Sequence, residues 1–458
     1  MSEAHIDGET KTTKMRTDHH DESADVATLK SMLADANEEL GRKLGRKGLS
    51  PAAKRWQHTA TLLRTVRAFN YLKEEPTDEA VAEVQTKSLS FKSQSSEGHE
   101  PEEDGVENLL LVEEETGEVE KEDDEPLKPL AMKFRLAGMF ISKMQPLVFR
   151  NDGTMDRTIH EYIDIRVKAN KTPVDGIYTT DVHIDPDESE LWVRIFAHLS
   201  TDEKLPVVLY FHGGGFAEFH ADSTSYDQLG RKIAKALNAV VVSVNYRQSP
   251  EHRYPTQYED CFKALQWLQK TQAGSNGLPE TADLSRTILA GDSAGGNITH
   301  HVGVRAAESD LGPVKIRAWI MLQPFFGAVE RSKSELRVPN PFLLSVRMSD
   351  WFWKAFLPLD ADRDHKAANV VGPNAPDLKG LGPRMPPIFI VIGTHDILKD
   401  REVEYGKMMA TVVGKEKVLI KKYDYGFHGF FAFDLVLQKS LMLDMQSFVE
   451  NVLPKSNP

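Results

Sequence analysis

The spacing of apolar residues changes about 130 positions into the chain, and from there short apolar runs alternate with helical patterns. Apolar runs bounded by turn residues predict eight strands, at 181–184, 191–196, 207–211, 240–245, 288–291, 316–322, 388–392 and 418–423. Spacings of three and four predict helices near 224–237, 256–270, 294–307, 401–413 and 435–452. This alternation predicts an α/β fold over 129–458, with a mostly parallel central sheet and helices on both faces.

Two parts of this region are expected to depart from the parallel pattern. Only residues 185–190 separate the first two predicted strands, so these strands are expected to form an antiparallel hairpin. No strand is predicted over about 325–370. Five large apolar side chains in that stretch are expected to form a cap: Trp351, Phe352, Trp353, Phe356 and Leu357.

The segment 42–73 is strongly basic, with nine Lys and Arg side chains and no Asp or Glu. Ser50 suits a helix N-cap, Pro51 suits the first helical position, and apolar residues then recur at helical spacing. A basic amphipathic helix over 50–72 could bind calmodulin or lie on an anionic membrane surface. It could equally pack on its own catalytic domain or on an acidic linker, and the sequence leaves these alternatives open.

Negative charge is concentrated in residues 97–125, which hold fifteen acidic side chains and one lysine. Their net charge of −14 compares with −13 for the whole chain, so the remaining residues sum to +1. Such a run repels itself and has too few apolar residues to offset the entropy of ordering. We therefore predict a disordered linker over 74–128 and a disordered polar tail over 1–41. The acidity says nothing about a substrate.

Composition disfavours several classes of protein. The net charge of −13 argues against a nucleic-acid partner, and one cysteine, Cys261, cannot form an internal disulfide. Residues 1–30 lack the apolar core of a secretory signal, and no apolar run approaches the roughly 20 residues of a membrane span. We expect a cytoplasmic protein, or one that is also nuclear. No metal or cofactor is implied, because no Cys/His cluster has zinc spacing.

A serine motif is the clearest candidate for chemistry. Residues 291–295 read Gly-Asp-Ser-Ala-Gly, which fits the pattern G-x-S-x-G. They follow a predicted strand and precede a predicted helix, the context in which this pattern forms a sharp turn that exposes the serine hydroxyl. Small residues at both flanks allow that turn. Ser293 is therefore the candidate nucleophile.

A glycine motif, His-Gly-Gly-Gly-Phe at residues 212–216, comes directly after another predicted strand. Glycines let backbone N–H groups approach a substrate oxygen, so Gly213 and Gly214, with Ala294, are predicted to bind an oxyanion. Neither the Walker pattern nor the dinucleotide pattern is met, which argues against a phosphate loop. Four further residues support the two motifs: His212, Gly215, Gly291 and Gly295.

The serine needs a base to take its proton, and the base needs a carboxylate to orient it. In α/β-hydrolases the three residues follow one another along the chain as serine, acid and histidine. Asp396 lies just past the strand at 388–392, and His428 lies past the last predicted strand. Each of these residues falls at the carboxyl end of a predicted strand, where sites form in parallel sheets. We therefore predict that Ser293, Asp396 and His428 form a catalytic triad.

Other residues near these positions are candidates for the same roles. His395 is the alternative base, but it adjoins Asp396, and adjacent loop residues rarely point at one another. Asp400 is the alternative acid. His300 and His301 lie on the helix after the serine and are expected to be packing or surface residues rather than metal ligands.

Residues from about 145 to 452 resemble the plant carboxylesterases, in the hormone-sensitive-lipase branch of the α/β-hydrolases, which are close kin of the gibberellin receptors. The resemblance rests on the stretches 212–216, 243–247, 250–255, 291–297, 350–358 and 427–430. It implies an α/β-hydrolase fold, the same triad, and a lid segment near 130–150 that joins the cap at 325–370 over the site. It covers about two-thirds of the chain and does not extend to 1–128.

The resemblance leaves two functions to separate. Gibberellin receptors lose the base histidine and carry serine as the last residue of the glycine motif, whereas this chain has His428 and Gly215. A branch that eliminates instead of hydrolysing has threonine at the nucleophile, unlike Ser293. We therefore expect a serine carboxylesterase for small, apolar-leaning carboxylic esters. The alternative is a gibberellin-receptor-like hormone-binding protein without significant turnover.

Overall fold

The computed structural model describes residues 127–453, apart from 186, 188–189, 200, 202 and 339–340. The predicted polar tail, the basic segment and nearly all of the acidic linker lie outside the described residues. Among the helices of the described part, none is long and apolar enough to cross a membrane.

A single sheet of eight strands forms the centre of the domain. The strands are β1 (Ile177–His183), β2 (Trp192–His198), β3 (Leu205–Phe211), β4 (Val240–Asn245), β5 (Ala282–Asp292), β6 (Ile316–Leu322), β7 (Ile388–His395) and β8 (Val418–Phe427). Their order across the sheet is β1-β2-β4-β3-β5-β6-β7-β8. β2 runs antiparallel to both β1 and β4, and the other neighbours pair in parallel. The predicted fold class and the predicted hairpin are confirmed.

Nine helices of five or more residues belong to the described part of the chain. They are α1 (Met132–Val148), α2 (Arg157–Ile163), α3 (Thr224–Ala236), α4 (Thr256–Lys270), α5 (Ala294–Ala307), α6 (Lys333–Arg337), α7 (Val346–Phe356), α8 (Lys399–Val413) and α9 (Leu435–Val452). The five helices predicted from the apolar spacing correspond to α3, α4, α5, α8 and α9. The remaining four lie outside the alternating region or in the cap.

Two separate cores flank the sheet, and alternate residues of a strand contribute to each. In β3, Val207 and Leu209 belong to one buried cluster, whereas Val208 and Tyr210 belong to the other. Helices α4, α5 and α8 complete the first cluster, and α3 and α9 complete the second. Because both faces are covered, β3 is apolar along its whole length instead of alternating with polar residues.

Helices α1 and α7 pack at the carboxyl edge of the sheet. Phe134 of α1 lies against Phe427, the last residue of β8, with ring centroids 4.8 Å apart. Phe149, just past α1, packs edge-on against Trp351 of α7 at 4.7 Å, which joins the two helices. The described residues of the predicted cap contain α6 and α7 and no strand.

Candidate active site

Ser293 occupies a sharp turn between β5 and α5, with φ 52° and ψ −118°. A non-glycine residue held at such positive φ costs on the order of 1–3 kcal/mol, which the surrounding packing must supply. A Cβ added to Gly295 would lie 1.8 Å from the carbonyl oxygen of Phe211, and one added to Gly291 would lie 2.4 Å from the backbone of Gly295. Close backbone approach therefore requires both motif glycines.

Three predicted site residues come together from separate elements. Ser293 Oγ donates to His428 Nε2 at 2.9 Å, and His428 Nδ1 donates to Asp396 Oδ2 at 2.7 Å. Asp396 follows β7, His428 follows β8, and Ser293 follows β5, so the parallel sheet brings them to one edge. The Asp396 side chain is fully buried. The arrangement is chemically able to pass a proton from the hydroxyl to the imidazole.

Asp396 has two further hydrogen-bond donors that the sequence did not predict. Gln323 Nε2 donates to Oδ2 at 2.7 Å, and the backbone N–H of Leu398 donates to Oδ1 at 3.0 Å. Such donors stabilise a buried carboxylate, because they replace the water that it has lost. Gln323 directly follows β6 at the same edge of the sheet, and this position is the only signal that could have identified it.

The backbone N–H of Gly213 is already bound within the protein. It donates to Asp292 Oδ1 at 3.0 Å and to the Tyr226 hydroxyl oxygen at 2.8 Å. If this N–H bound a substrate oxygen instead, the buried Asp292 carboxylate would have one donor fewer, and the role of Gly213 as an oxyanion donor stays a prediction. Within the described part of the chain, the N–H groups of Gly214, Gly215 and Ala294 have no acceptor.

Asp292 joins the strand of the nucleophile to the glycine motif. It accepts hydrogen bonds from the hydroxyls of Tyr210 at 2.7 Å and Tyr226 at 2.8 Å. Burial raises the pKa of Asp292 to about 6, and the two tyrosine hydroxyls act in the opposite direction. Burial also lowers the pKa of His212 to about 3, so its imidazole is neutral, and its Nδ1 donates to the Gly213 carbonyl. His212 therefore holds the glycine backbone in place.

Helix α7 packs directly on the last glycine of the motif. Gly214 and Gly215 have φ of 98° and 56°, conformations that side chains rarely adopt. A Cβ added to Gly215 would lie 2.2 Å from the ring of Phe352 in α7. Any larger residue at position 215 would therefore have to displace this ring.

The alternative base and acid have other partners. His395 Nε2 donates to the carbonyl oxygen of Lys128 at 2.6 Å, and Asp400 accepts the backbone N–H of Ser334 at 2.6 Å. His300 is buried in α5, where its Nδ1 lies 3.1 Å from the Tyr405 hydroxyl, and burial lowers its pKa well below the usual value. In the part of the chain that the structure describes, no cluster of three or more His, Cys, Asp or Glu could hold a metal ion.

A cavity of about 430 Å³ lies beside α4 and α5, away from the serine. Its lining includes Tyr254, Tyr258 and Arg305, and none of the site residues described above. Arg305 is paired with Glu259 at 2.8 Å. This cavity therefore belongs to the outer face of the helices and has no part in the chemistry at Ser293.

Comparison with known proteins places this geometry in a family. Residues 208–432 match the sequence model of a protein family described as having the alpha/beta hydrolase fold. The gibberellin receptor GID1 of Oryza sativa subsp. japonica is 42% identical over 279 residues, which cover 56% of this chain and 76% of the receptor. Carboxylesterase 20 of Arabidopsis thaliana is 32% identical over 318 residues, 67% of this chain and 95% of that protein. The 3-O-acetylpapaveroxine carboxylesterase CXE2 of Papaver somniferum is 36% identical over 294 residues, with coverages of 61% and 91%.

Solved structures share the fold. A Pyrobaculum calidifontis esterase aligns with a TM-score of 0.56 and 23% identity over 71% of this chain and 100% of its own. A bacterial heroin esterase aligns with a TM-score of 0.53 and 24% identity over 62% and 87%. Fold and relatives define the class, that of carboxylic ester hydrolases with the α/β-hydrolase fold. The chain belongs to the plant carboxylesterase family, in the hormone-sensitive-lipase-like branch that also contains the gibberellin receptors.

Proposed function

We propose that the protein is a serine carboxylesterase in which Ser293 is the nucleophile, His428 the base and Asp396 the orienting acid. The observation that carries this proposal is the pair of hydrogen bonds at 2.9 Å and 2.7 Å that links the three side chains in that order. Family membership alone does not separate an esterase from a receptor. A base within reach of the serine hydroxyl favours turnover.

The reaction is a two-step acyl transfer. Ser293 Oγ attacks the ester carbonyl while His428 Nε2 takes its proton, and the tetrahedral intermediate collapses as the imidazolium returns that proton to the departing alcohol. Asp396 accepts from Nδ1–H, which keeps Nε2 free as a base and stabilises the imidazolium. Water, deprotonated by the same histidine, then attacks the acyl-enzyme and releases the acid.

The negative charge that develops on the carbonyl oxygen is bound by backbone N–H groups. We assign this role to Gly214, Gly215 and Ala294, in place of the set that included Gly213. Their N–H groups have no acceptor within the described residues, whereas that of Gly213 is held by Asp292. Each such donor contributes roughly 10²–10³ in rate when the donors are preorganised.

The substrate class that we propose is small, apolar-leaning carboxylic esters. Aromatic rings line the carboxyl edge of the sheet, where Phe352 packs on Gly215 and Phe134 packs on Phe427. Rings of this kind favour apolar groups over charged ones. The Papaver somniferum relative acts, by its name, on 3-O-acetylpapaveroxine, which supports a short acyl group as the first choice.

Hydrolysis of p-nitrophenyl acetate, butyrate and octanoate by the purified full-length protein tests the proposal. We expect turnover to be fastest with the shorter esters, and Ser293→Ala and His428→Ala each to lower kcat by about 10³-fold or more. Ser309→Ala, which removes an exposed hydroxyl bonded to the Arg305 carbonyl, is the matched control and should retain full activity. Undiminished turnover in either triad variant would contradict the assignment.

A hormone-binding protein is the second candidate, and the 42% identity to a gibberellin receptor favours it. Equilibrium dialysis with a labelled gibberellin separates the two functions. We expect no saturable binding and clear hydrolysis of the ester panel. Saturable binding together with no hydrolysis of any ester would replace the esterase by the receptor.

A further inference from the structure

Gln323 lies at the centre of the site without being part of the Ser-His-Asp pattern. It is the first residue after β6, its side chain is fully buried, and its backbone φ is 47°. Left-handed backbone at a residue with a long side chain is strained, so the surrounding structure holds Gln323 in this conformation. Its backbone N–H donates to the carbonyl of Val391 in β7 at 2.9 Å, which fixes the residue between two strands.

The Gln323 amide bridges the two loops that carry Asp396 and His428. Its Nε2 donates to Asp396 Oδ2 at 2.7 Å and to the carbonyl oxygen of Phe427 at 3.1 Å. Its Oε1 accepts the backbone N–H of Gly429 at 2.8 Å. Phe427 and Gly429 are the two neighbours of His428 in the chain. One amide therefore forms hydrogen bonds on both sides of His428 and to the Asp396 carboxylate at the same time.

We propose that Gln323 is a positioning residue that sets both the geometry and the charge of the Asp396–His428 pair. The proposal rests on the proposed esterase function. Asp396 Oδ2 is shared between His428 Nδ1 and Gln323 Nε2, each at 2.7 Å, so the amide draws part of the negative charge away from the imidazole. It also fixes the carboxylate plane toward His428.

An amide is the group that these contacts require. Two protons on Nε2 serve the carboxylate and the Phe427 carbonyl, while the oxygen receives the Gly429 N–H. Methionine has a similar length and none of these hydrogen bonds, whereas glutamic acid carries at most one proton and can serve only one of the two acceptors.

Loss of the amide has two separable consequences. With one donor fewer, Asp396 concentrates more negative charge on His428, so the imidazolium is favoured and the acidic limb of the pH–rate profile moves to higher pH. With the loops no longer bridged, the base is less well aligned, and kcat falls roughly 10- to 100-fold while KM stays near its original value.

The experiment measures kcat, KM and the pH–rate profile of Gln323→Met on p-nitrophenyl acetate in the full-length protein. Gln257→Met is the matched control, because Gln257 is equally buried, also makes several amide hydrogen bonds, and touches none of the three triad residues. We expect the profile of Gln323→Met to shift and that of the control to stay in place. An unshifted profile with unchanged kcat in Gln323→Met would overturn the proposal.

A second variant and an NMR measurement test the proposal if Gln323→Met does not fold or has no activity. If Gln323→Met does not fold, Gln323→Asn is expected to shift the profile in the same direction, since its shorter amide cannot reach Asp396 and Gly429 together. The downfield ¹H NMR resonance of the His428 Nδ1–H, identified by its loss in His428→Ala, reports the pair without any turnover. If its pH titration is the same in wild type and in the Gln323 variant, the proposal is wrong, even if the esterase assignment has failed independently.

Discussion

Gly213 donates its backbone N–H to Asp292 at 3.0 Å, and this bond ties the glycine motif after β3 to the residue that precedes the nucleophile. The glycine motif at 212–216 and the serine motif at 291–295 are separate in the sequence, and this bond joins them into one hydrogen-bonded unit. Tyr226 of α3 completes it, since its hydroxyl both accepts from Gly213 and donates to Asp292.

Replacing Asp292 by asparagine should damage both activity and stability. The asparagine side chain would turn an NH₂ group toward one of three donors, and a buried donor without an acceptor costs roughly 1–3 kcal/mol. We expect a lower midpoint of thermal unfolding and a lower kcat, measured by calorimetry and by ester hydrolysis. Asp283→Asn is the control, since the Asp283 carboxylate bonds to the exposed Ser285 on the same strand. Equal losses in the two variants would argue against the role of Asp292.

Replacing Gly295 by alanine should prevent the turn at Ser293 from forming in its active conformation. The added Cβ would lie 1.8 Å from a backbone oxygen of β3, which can yield only if the strand itself moves. We expect soluble yield and activity to fall together. The control is Gly380→Ala, because nothing in the described part of the chain lies within 4 Å of a Cβ at that position. Wild-type activity in Gly295→Ala would show that the strand is free to move.

Replacing Glu402 by glutamine should change how stability depends on pH. Glu402 is fully buried in α8, and neither carboxyl oxygen has a partner in the described part of the chain. Burial, and then the charges of Asp396 and Asp400, raise its pKa well above 4.5. Because the folded-state pKa lies above the unfolded value, the native protein binds the extra proton, and this group's contribution to stability is lost as pH rises above about 4.5.

Urea unfolding at several pH values measures this effect. Glu402→Gln cannot ionise, so it should match the wild type in stability near pH 4 and become the more stable of the two proteins as the pH rises toward 8. Glu404→Gln, at an exposed position on the same helix, should show no such divergence. Parallel curves for wild type and Glu402→Gln would mean that the carboxyl finds a partner on ionisation.

For the basic segment we predict calcium-dependent binding of a peptide spanning 50–72 to calmodulin. Trp56 is the one tryptophan in that peptide, so a blue shift of its fluorescence reports transfer to an apolar groove. A shift that appears only with anionic vesicles and disappears in salt would instead indicate a membrane surface. No shift in either case would favour packing within the chain.

Strands and helices of the domain could be predicted because the sheet is covered on both faces. Each central strand is then a continuous apolar run, as in β3, and each covering helix has one apolar side. The resemblance implied a lid segment near 130–150, but no helix was predicted there, because α1 has no place in the alternating pattern. Ser293, Asp396 and His428 could be predicted as one site because each follows a recognisable strand in a known order, and the structure joins their side chains by hydrogen bonds.

Two features of the site lay beyond sequence reasoning. The engagement of Gly213 depends on Asp292, whose motif position is variable, and on Tyr226 from a helix that the glycine motif does not specify. Gln323 bonds to residues 73 and 104 positions away, and no spacing rule links an amide to partners at those distances. Both are consequences of how the loops meet after folding.

The hydrogen bond from His395 to the carbonyl of Lys128 decides where the chain should be cut when its N-terminal extension is removed. In a shortened protein that begins at 130, that carbonyl is lost, so Nε2 of the imidazole next to the proposed acid, Asp396, has lost its acceptor. Any change in activity would then mix the effect of the missing extension with that of a loosened acid loop. A shortened protein that begins at 127 retains the bond. Comparing the activities of the two shortened proteins therefore separates regulation by the extension from disturbance of the Asp396 loop.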